Sequence, residues 1–207
     1  MQRSVVARRL GSIRRAFVFL GLACVAGAAL AQSRVDPALG EAKAKSCAAC
    51  HGEPGRTPLP MTPWLAGQLE EVTVLQLVLI REGLREVPQM AGMLDKVTDP
   101  DFFDIAAYYA RQVPARGTAS PDPKLHARGA TLAKSMGCGS CHLGDYSGQK
   151  QVPRIANQRE DYLAATLKAY RDNKRAGPDT SMNGIMYRVA DADIEALAHF
   201  LAHLSPP

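Results

Sequence analysis

Apolar positions recur along this chain at helical spacing. Leu69, Val72, Leu75 and Leu79 form one such stripe, and Leu163, Leu167 and Tyr170 form another. Alternating strand patterns are absent. Asp36 ahead of Pro37 reads as an N-cap and first-turn proline for a short helix running into Cys47. Thr98 with Asp101 resembles a capping box in front of a helix that runs through Tyr109. The pattern predicts an all-α chain.

A different apolar segment lies near the start. Ala16 to Leu30 is continuous and follows Arg3, Arg8, Arg9, Arg14 and Arg15. It is shorter than the roughly 20 residues that a membrane span needs. Ala29-Leu30-Ala31 has the small-x-small form of a cleavage site. Residues 1–31 are therefore expected to be a signal peptide, and the mature chain from Gln32 holds no comparable run. Arg14-Arg15 loosely resembles a twin-arginine signal, and Leu22-Ala23-Cys24 a lipoprotein box with Gly21 where leucine is preferred. An arginine-rich leader on the general secretory route is the simpler reading.

The rest of the sequence repeats itself. Leu39-Gly40-Glu41-Ala42-Lys43 is matched by Arg128-Gly129-Ala130-Thr131-Leu132, and two extra residues, Met136 and Gly137, follow in the second copy. Pro63-Trp64-Leu65-Ala66-Gly67-Gln68 recurs as Pro153-Arg154-Ile155-Ala156-Asn157-Gln158. The segment around Met90 recurs around Met182, and Asp101–Tyr109 recurs as Asp193–Leu201. A proline-rich stretch separates the copies. The expected organisation is a domain over 32–113, a linker over 114–123 and a second domain over 124–207. Each domain is small enough to be marginal on its own.

Charge changes the picture once the leader is set aside. The whole chain has a formal net charge of +5, but the five leader arginines account for it. The remaining chain carries 20 basic and 20 acidic side chains, which gives no basis for binding nucleic acid. The balance is uneven between copies: residues 32–113 hold 8 basic and 11 acidic groups, and residues 114–207 hold 12 and 9.

The chemistry is concentrated in Cys47-Ala48-Ala49-Cys50-His51 and Cys138-Gly139-Ser140-Cys141-His142. Both are C-x-x-C-H, the attachment signature of c-type haem. Two thiols one helical turn apart can each form a thioether to a haem vinyl group. The histidine that follows supplies a neutral imidazole to the iron. Zinc sites and thiol redox motifs also use C-x-x-C. However, the two pairs lie 91 residues apart, and no βαβ pattern surrounds either. Two covalently attached haem c groups are expected, which would enlarge each core and staple it. Trp64, Tyr108 and Phe200 are expected in the cores or on a haem edge.

The sixth iron ligand separates substrate binding from electron transfer. Met90 and Met182 are matched between the copies, whereas Met93 aligns with Ile185 and Met186 with Leu94. Met61 is too close to His51 to reach the opposite haem face. Met90 and Met182, in polar Gly-containing loops, are the candidate distal ligands; a thioether ligand favours Fe(II) and raises the potential. His126 has no partner in the first copy. His199 and His203, spaced i, i+4, could bind a metal, although a solvated helix face is the simpler reading.

These motifs, their order, the P-x-[L/I]-A-[G/N]-Q segment and the M-x-G segment ahead of the last helix resemble the bacterial diheme cytochrome c4 family, built of two class I cytochrome c domains. The resemblance covers residues 34 to 205. It implies His51 with Met90 and His142 with Met182 as ligand pairs, and places Gly40 and Gly129 where the first helix of each copy crosses the last, against Tyr108 and Phe200. Val72 departs from the family, where an aromatic such as Tyr162 is common; this puts packing on the first haem in doubt. It also implies a periplasmic electron carrier, not an enzyme, working between a cytochrome bc complex or dehydrogenase and a terminal oxidase or reductase. The alternative is a dedicated electron-transfer subunit of a periplasmic dehydrogenase, such as a flavoprotein sulfide dehydrogenase. Thiosulfate dehydrogenases of similar architecture use a cysteine ligand on the catalytic haem, but here C-x-x-C-H consumes every cysteine after the leader. Peripheral membrane association is left open.

Overall fold

The computed structural model describes residues 35–175 and 180–204. The expected signal peptide, with Cys24, lies outside the described residues. Among the described residues the chain is helical, and its only β-type pairing is an isolated bridge between Gln149 and Val152. The helices are α1 (Pro37–His51), α2 (Glu70–Arg81), α3 (Asp99–Ala110), α4 (Pro123–Ser135), α5 (Cys138–His142), α6 (Glu160–Arg171), α7 (Ser181–Met186) and α8 (Asp191–Ala202). A short 3-10 turn covers Pro88–Met90.

Both expected helix starts are present. The Asp36 carboxylate accepts from the amides of Ala38 and Leu39. Asp101 accepts from the Thr98 amide at 2.8 Å and the Thr98 hydroxyl at 2.7 Å. The first helix is longer than expected: α1 continues through the cysteines to His51. In the second copy Met136 and Gly137 break the same helix into α4 and α5. Gly137 takes a left-handed conformation, φ 69°, that glycine adopts without steric cost.

Two hydrophobic cores form. One gathers Ala44, Leu77, Leu94, Phe102, Ile105 and Tyr109; the other is built around Ala133, Leu163, Leu167, Met186, Ile194 and Leu197. α1 and α2 pack on α3, and α4 and α6 pack on α8. The α6 stripe is the one the sequence indicates. The α2 stripe is met in part: Val72 and Leu79 are buried, but the residues that join the core cluster are Val74, Leu77, Val78 and Ile80. Nearly every side of α2 is apolar, so spacing alone does not select a face.

The first and last helices of each copy cross in close contact at the two matched glycines. A Cβ at Gly40 would lie 1.9 Å from the Asp104 carbonyl oxygen, and one at Gly129 would lie 2.0 Å from that of Ala196. The connection between the cores is irregular but pinned. Arg56 donates to the Val113 carbonyl at 2.6 Å, and Pro114 lies against Gly67.

Candidate functional site

Each C-x-x-C-H sequence is helical, in α1 and in α5, which places its two cysteines one turn apart. None of the four is in a disulfide. Cys47 and Cys138 are partly buried against the cores, while Cys50 and Cys141 are exposed. Burial pushes the Cys47 and Cys138 thiols up from their ordinary value. A reactive redox pair needs the opposite shift.

His51 and His142 end these helices and are buried. Burial holds both rings below the ordinary histidine value, outweighing the carbonyls that would favour the charged form. His51 Nδ1 donates to the Pro63 carbonyl at 3.0 Å, and His142 Nδ1 to the Pro153 carbonyl at 2.9 Å. This leaves Nε2 as the lone-pair nitrogen of each neutral ring, the form that ligates a metal.

The prolines belong to the repeated segment, and its conformation is the same in both copies. The Leu65 and Ala66 amides donate to the Gly55 carbonyl; those of Ile155 and Ala156 donate to that of Tyr146. Gly67 (φ 72°) and Asn157 (φ 56°) occupy the left-handed region that glycine and asparagine tolerate best. The Gly67 amide then bonds the Tyr109 carbonyl, and that of Asn157 bonds the Leu201 carbonyl.

The methionines fall into distinct environments. Met90 and Met182 are half-buried and packed against the two cores. Met93 and Met61 are exposed, and Met186 is a fully buried core residue. Leu94, which aligns with Met186, is likewise buried. Neither candidate sits in an irregular loop: Met90 ends the 3-10 turn and Met182 is in the first turn of α7.

The surroundings of His199 correct the expected solvated face. His199 is buried and its Nε2 accepts from the Asp122 amide at 2.9 Å. Its Nδ1 lies 3.1 Å from Glu160 Oε1, and His203 Nδ1 donates to the His199 carbonyl at 2.9 Å. Glu160, His199 and His203 are near enough to share a metal ion. Both ring nitrogens of His199 are already engaged, however, so the cluster acts as a strut between α8, α6 and the start of α4. His126 packs edge-on to Phe200, 5.1 Å between centroids.

Two matched groups carry no signal in a single copy. Gln68 and Gln158 reach across to the other copy, as do Arg85 and Arg175. The Tyr162 hydroxyl lies 3.3 Å from a guanidinium nitrogen of each arginine, and Gln76 accepts from both side chains. Burial would raise the Tyr162 phenol; the two guanidiniums outweigh it and bring it down to about 8. Spacing between the copies is the signal that finds these pairs, since each is separated by the same 90 residues.

Paired thiols one turn apart, each followed by a buried neutral histidine with its outer nitrogen tied to backbone, define an all-α c-type cytochrome with two attachment sites. The comparisons with known proteins narrow this class. The cytochrome c family profile matches residues 126–205. The chain is 36% identical over 186 residues to cytochrome c4 of Pseudomonas aeruginosa, covering 84% of this chain and 92% of that protein. It is 31% identical to a thiosulfate dehydrogenase electron acceptor of Thiomonas intermedia, covering 77% and 79%. The crystal structure of reduced recombinant cytochrome c4 from Pseudomonas stutzeri matches with a TM-score of 0.77 at 33% identity, over 82% of this chain and 99% of that one. The chain belongs to the cytochrome c4 family: it is a diheme electron-transfer cytochrome with two covalently bound haem c groups.

Proposed function

We propose that this protein is a periplasmic electron carrier in which His51 with Met90, and His142 with Met182, hold the two irons. Cys47 and Cys50 attach the first haem, and Cys138 and Cys141 the second. Residues 32–113 and 124–207 are then two domains joined by 114–123. The observation that carries this reading is the sorting of the methionines: the repeat-matched pair abuts the cores, while Met93 is exposed and Met186 is core filling. When bound, haem supplies a one-electron Fe(III)/Fe(II) couple. The protein holds the imidazoles neutral and oriented, and surrounds each site with apolar side chains. Arg85 and Arg175 make no ion pair among the described residues and fit the carboxylates that haem carries.

With both a histidine and a methionine holding each iron, no open position would be left for substrate, which favours a carrier over an enzyme. Donors of the cytochrome bc or dehydrogenase type and a terminal oxidase or reductase as acceptor fit this role. A second reading, a dedicated acceptor for one periplasmic dehydrogenase, is favoured by the similarity to a thiosulfate dehydrogenase electron acceptor. Among the described residues no helix is long and apolar enough to cross a membrane. The test is stopped-flow reduction of the holoprotein by a quinol-oxidising cytochrome bc complex and, separately, by a thiosulfate dehydrogenase with its substrate. Fast reduction by both supports the general carrier, and reduction by the dehydrogenase alone supports the second reading. Turnover of peroxide or thiosulfate by the cytochrome itself would overturn both.

A further inference from the structure

The two lobes exchange glutamines. Gln158 Oε1 accepts from the Trp64 amide at 2.8 Å, and Gln158 Nε2 donates to the Trp64 carbonyl at 2.9 Å. Gln68 does the same to Arg154: Oε1 accepts from its amide at 2.9 Å, and Nε2 donates to its carbonyl at 3.0 Å. Each clasp holds a backbone segment of the other lobe.

The clasped peptides are the ones that orient the histidines. The Trp64 amide and the Pro63 carbonyl belong to one peptide unit, and that carbonyl accepts the hydrogen bond from His51 Nδ1. The Arg154 amide and the Pro153 carbonyl are the corresponding unit for His142. A peptide is a resonance-coupled dipole, so a hydrogen bond accepted from its N–H makes its carbonyl oxygen a stronger acceptor. A stronger acceptor at Nδ1–H makes the opposite ring nitrogen a better donor. Better axial donation favours Fe(III) and lowers the potential.

We propose that Gln158 is a positioning residue that tunes the haem held by His51, and Gln68 one that tunes the haem held by His142, each acting from the opposite lobe through a shared peptide. The inference rests on the reading of His51 and His142 as iron ligands. It makes lobe–lobe contact a determinant of both potentials without any direct contact between a glutamine and a haem. The environments are unequal. The Trp64 indole donates to the Thr57 carbonyl at 2.8 Å, and Arg159 donates to the same oxygen at 3.0 Å. Among the described residues the Arg154 side chain has no such brace, and its Nε is buried without a hydrogen-bond partner.

The experiment is spectroelectrochemical titration of the diheme holoprotein and its Gln158→Met and Gln68→Met variants. The haem signals are assigned by proton NMR through contacts to Cys47 and Cys138. Gln158→Met raises the potential of the first-lobe haem and moves the His51 Nδ1–H resonance, leaving the second haem unchanged; Gln68→Met gives the mirror result. Gln158→Glu retains an acceptor for the Trp64 amide, so the first-lobe potential stays at or below the wild-type value. It also keeps the test decisive if a methionine variant folds poorly. A shift in the haem of the mutated lobe, an equal shift in both, or a rise in the glutamate variant matching the methionine one overturns the proposal. Failure of the ligand reading is distinguishable, because His51→Ala would then leave the spectrum of the first haem unchanged.

Discussion

Gly129 lies so close to Phe200 that a Cβ on the glycine would stand 2.5 Å from the Phe200 Cβ. The crossing of α4 with α8 depends on this approach, as that of α1 with α3 depends on Gly40 beneath Tyr108. At an exposed helical site Gly→Ala stabilises by about 1 kcal/mol. Here the sign reverses, because backbone rather than a flexible side chain blocks the added methyl. Gly129→Ala and Gly40→Ala are each expected to destabilise by about 1–3 kcal/mol, read from denaturant unfolding of the holoprotein. A neutral or stabilising result would mean that the helices separate freely.

The methionines make a four-way comparison. Met90→Ala and Met182→Ala are each expected to remove half of the methionine–iron charge-transfer band and lower one haem's potential. Met186→Ala is expected to leave the band intact and cost about 2–5 kcal/mol of stability, because it empties a core position. Met93→Ala should change neither, since the side chain is exposed. Loss of the band in the Met93 or Met186 variant would reassign the ligands.

Legibility in the sequence followed redundancy. The attachment motifs and both helix starts appear in local spacing, and Gly40 and Gly129 are matched in the repeat; their place at a helix crossing came from the family resemblance. Gly67 and Asn157 showed only as matched positions of the repeated segment; the left-handed backbone they share is a fact of the structure. The buried face of α2 was legible only in part: Val72 and Leu79 are buried, but Val72, Val74, Leu75, Leu77 and Leu79 offer more than one apolar stripe. His199 misled for a different reason. Its i, i+4 partner His203 suggested an exposed row, but the residues that bury it, Asp122 and Glu160, are far away in sequence. The glutamines showed as a repeated letter; the opposite lobe they reach is a tertiary fact.

The acid limb of stability tests the tie between α1 and α3. Lys43 Nζ lies 2.6 Å from both Asp101 and Asp104. Hydrogen bonds from Lys43 and Thr98 hold the Asp101 carboxyl down at about 2. Burial opposes the same shift at Asp104, but the Asp36 amide and Lys43 outweigh it and its value is also lowered. A carboxylate with a depressed folded-state pKa contributes fully above its ordinary value of 3.8 and loses that contribution as pH falls through about 2. Thermal unfolding of the wild type should therefore fall more steeply between pH 4 and pH 2 than that of Lys43→Met, which starts lower at neutral pH. Parallel curves for the two proteins would show that the tie contributes nothing.

Charge provides the test of docking. Residues 32–113 carry a net acidic balance and residues 114–207 a net basic one, and Lys124, Lys134, Lys150 and Lys174 are all exposed on the basic lobe. Steering by such groups is screened over about 8–10 Å at physiological salt, so partner rates should fall as salt rises. Replacing these four lysines with glutamate should slow electron exchange with an acidic partner several-fold at low salt. A basic partner, which is drawn to the other lobe, should keep its rate. The measurement is stopped-flow electron transfer at several ionic strengths with both kinds of partner. Equal losses with both, or rates that do not respond to salt, would show that the lobes do not divide the docking between them.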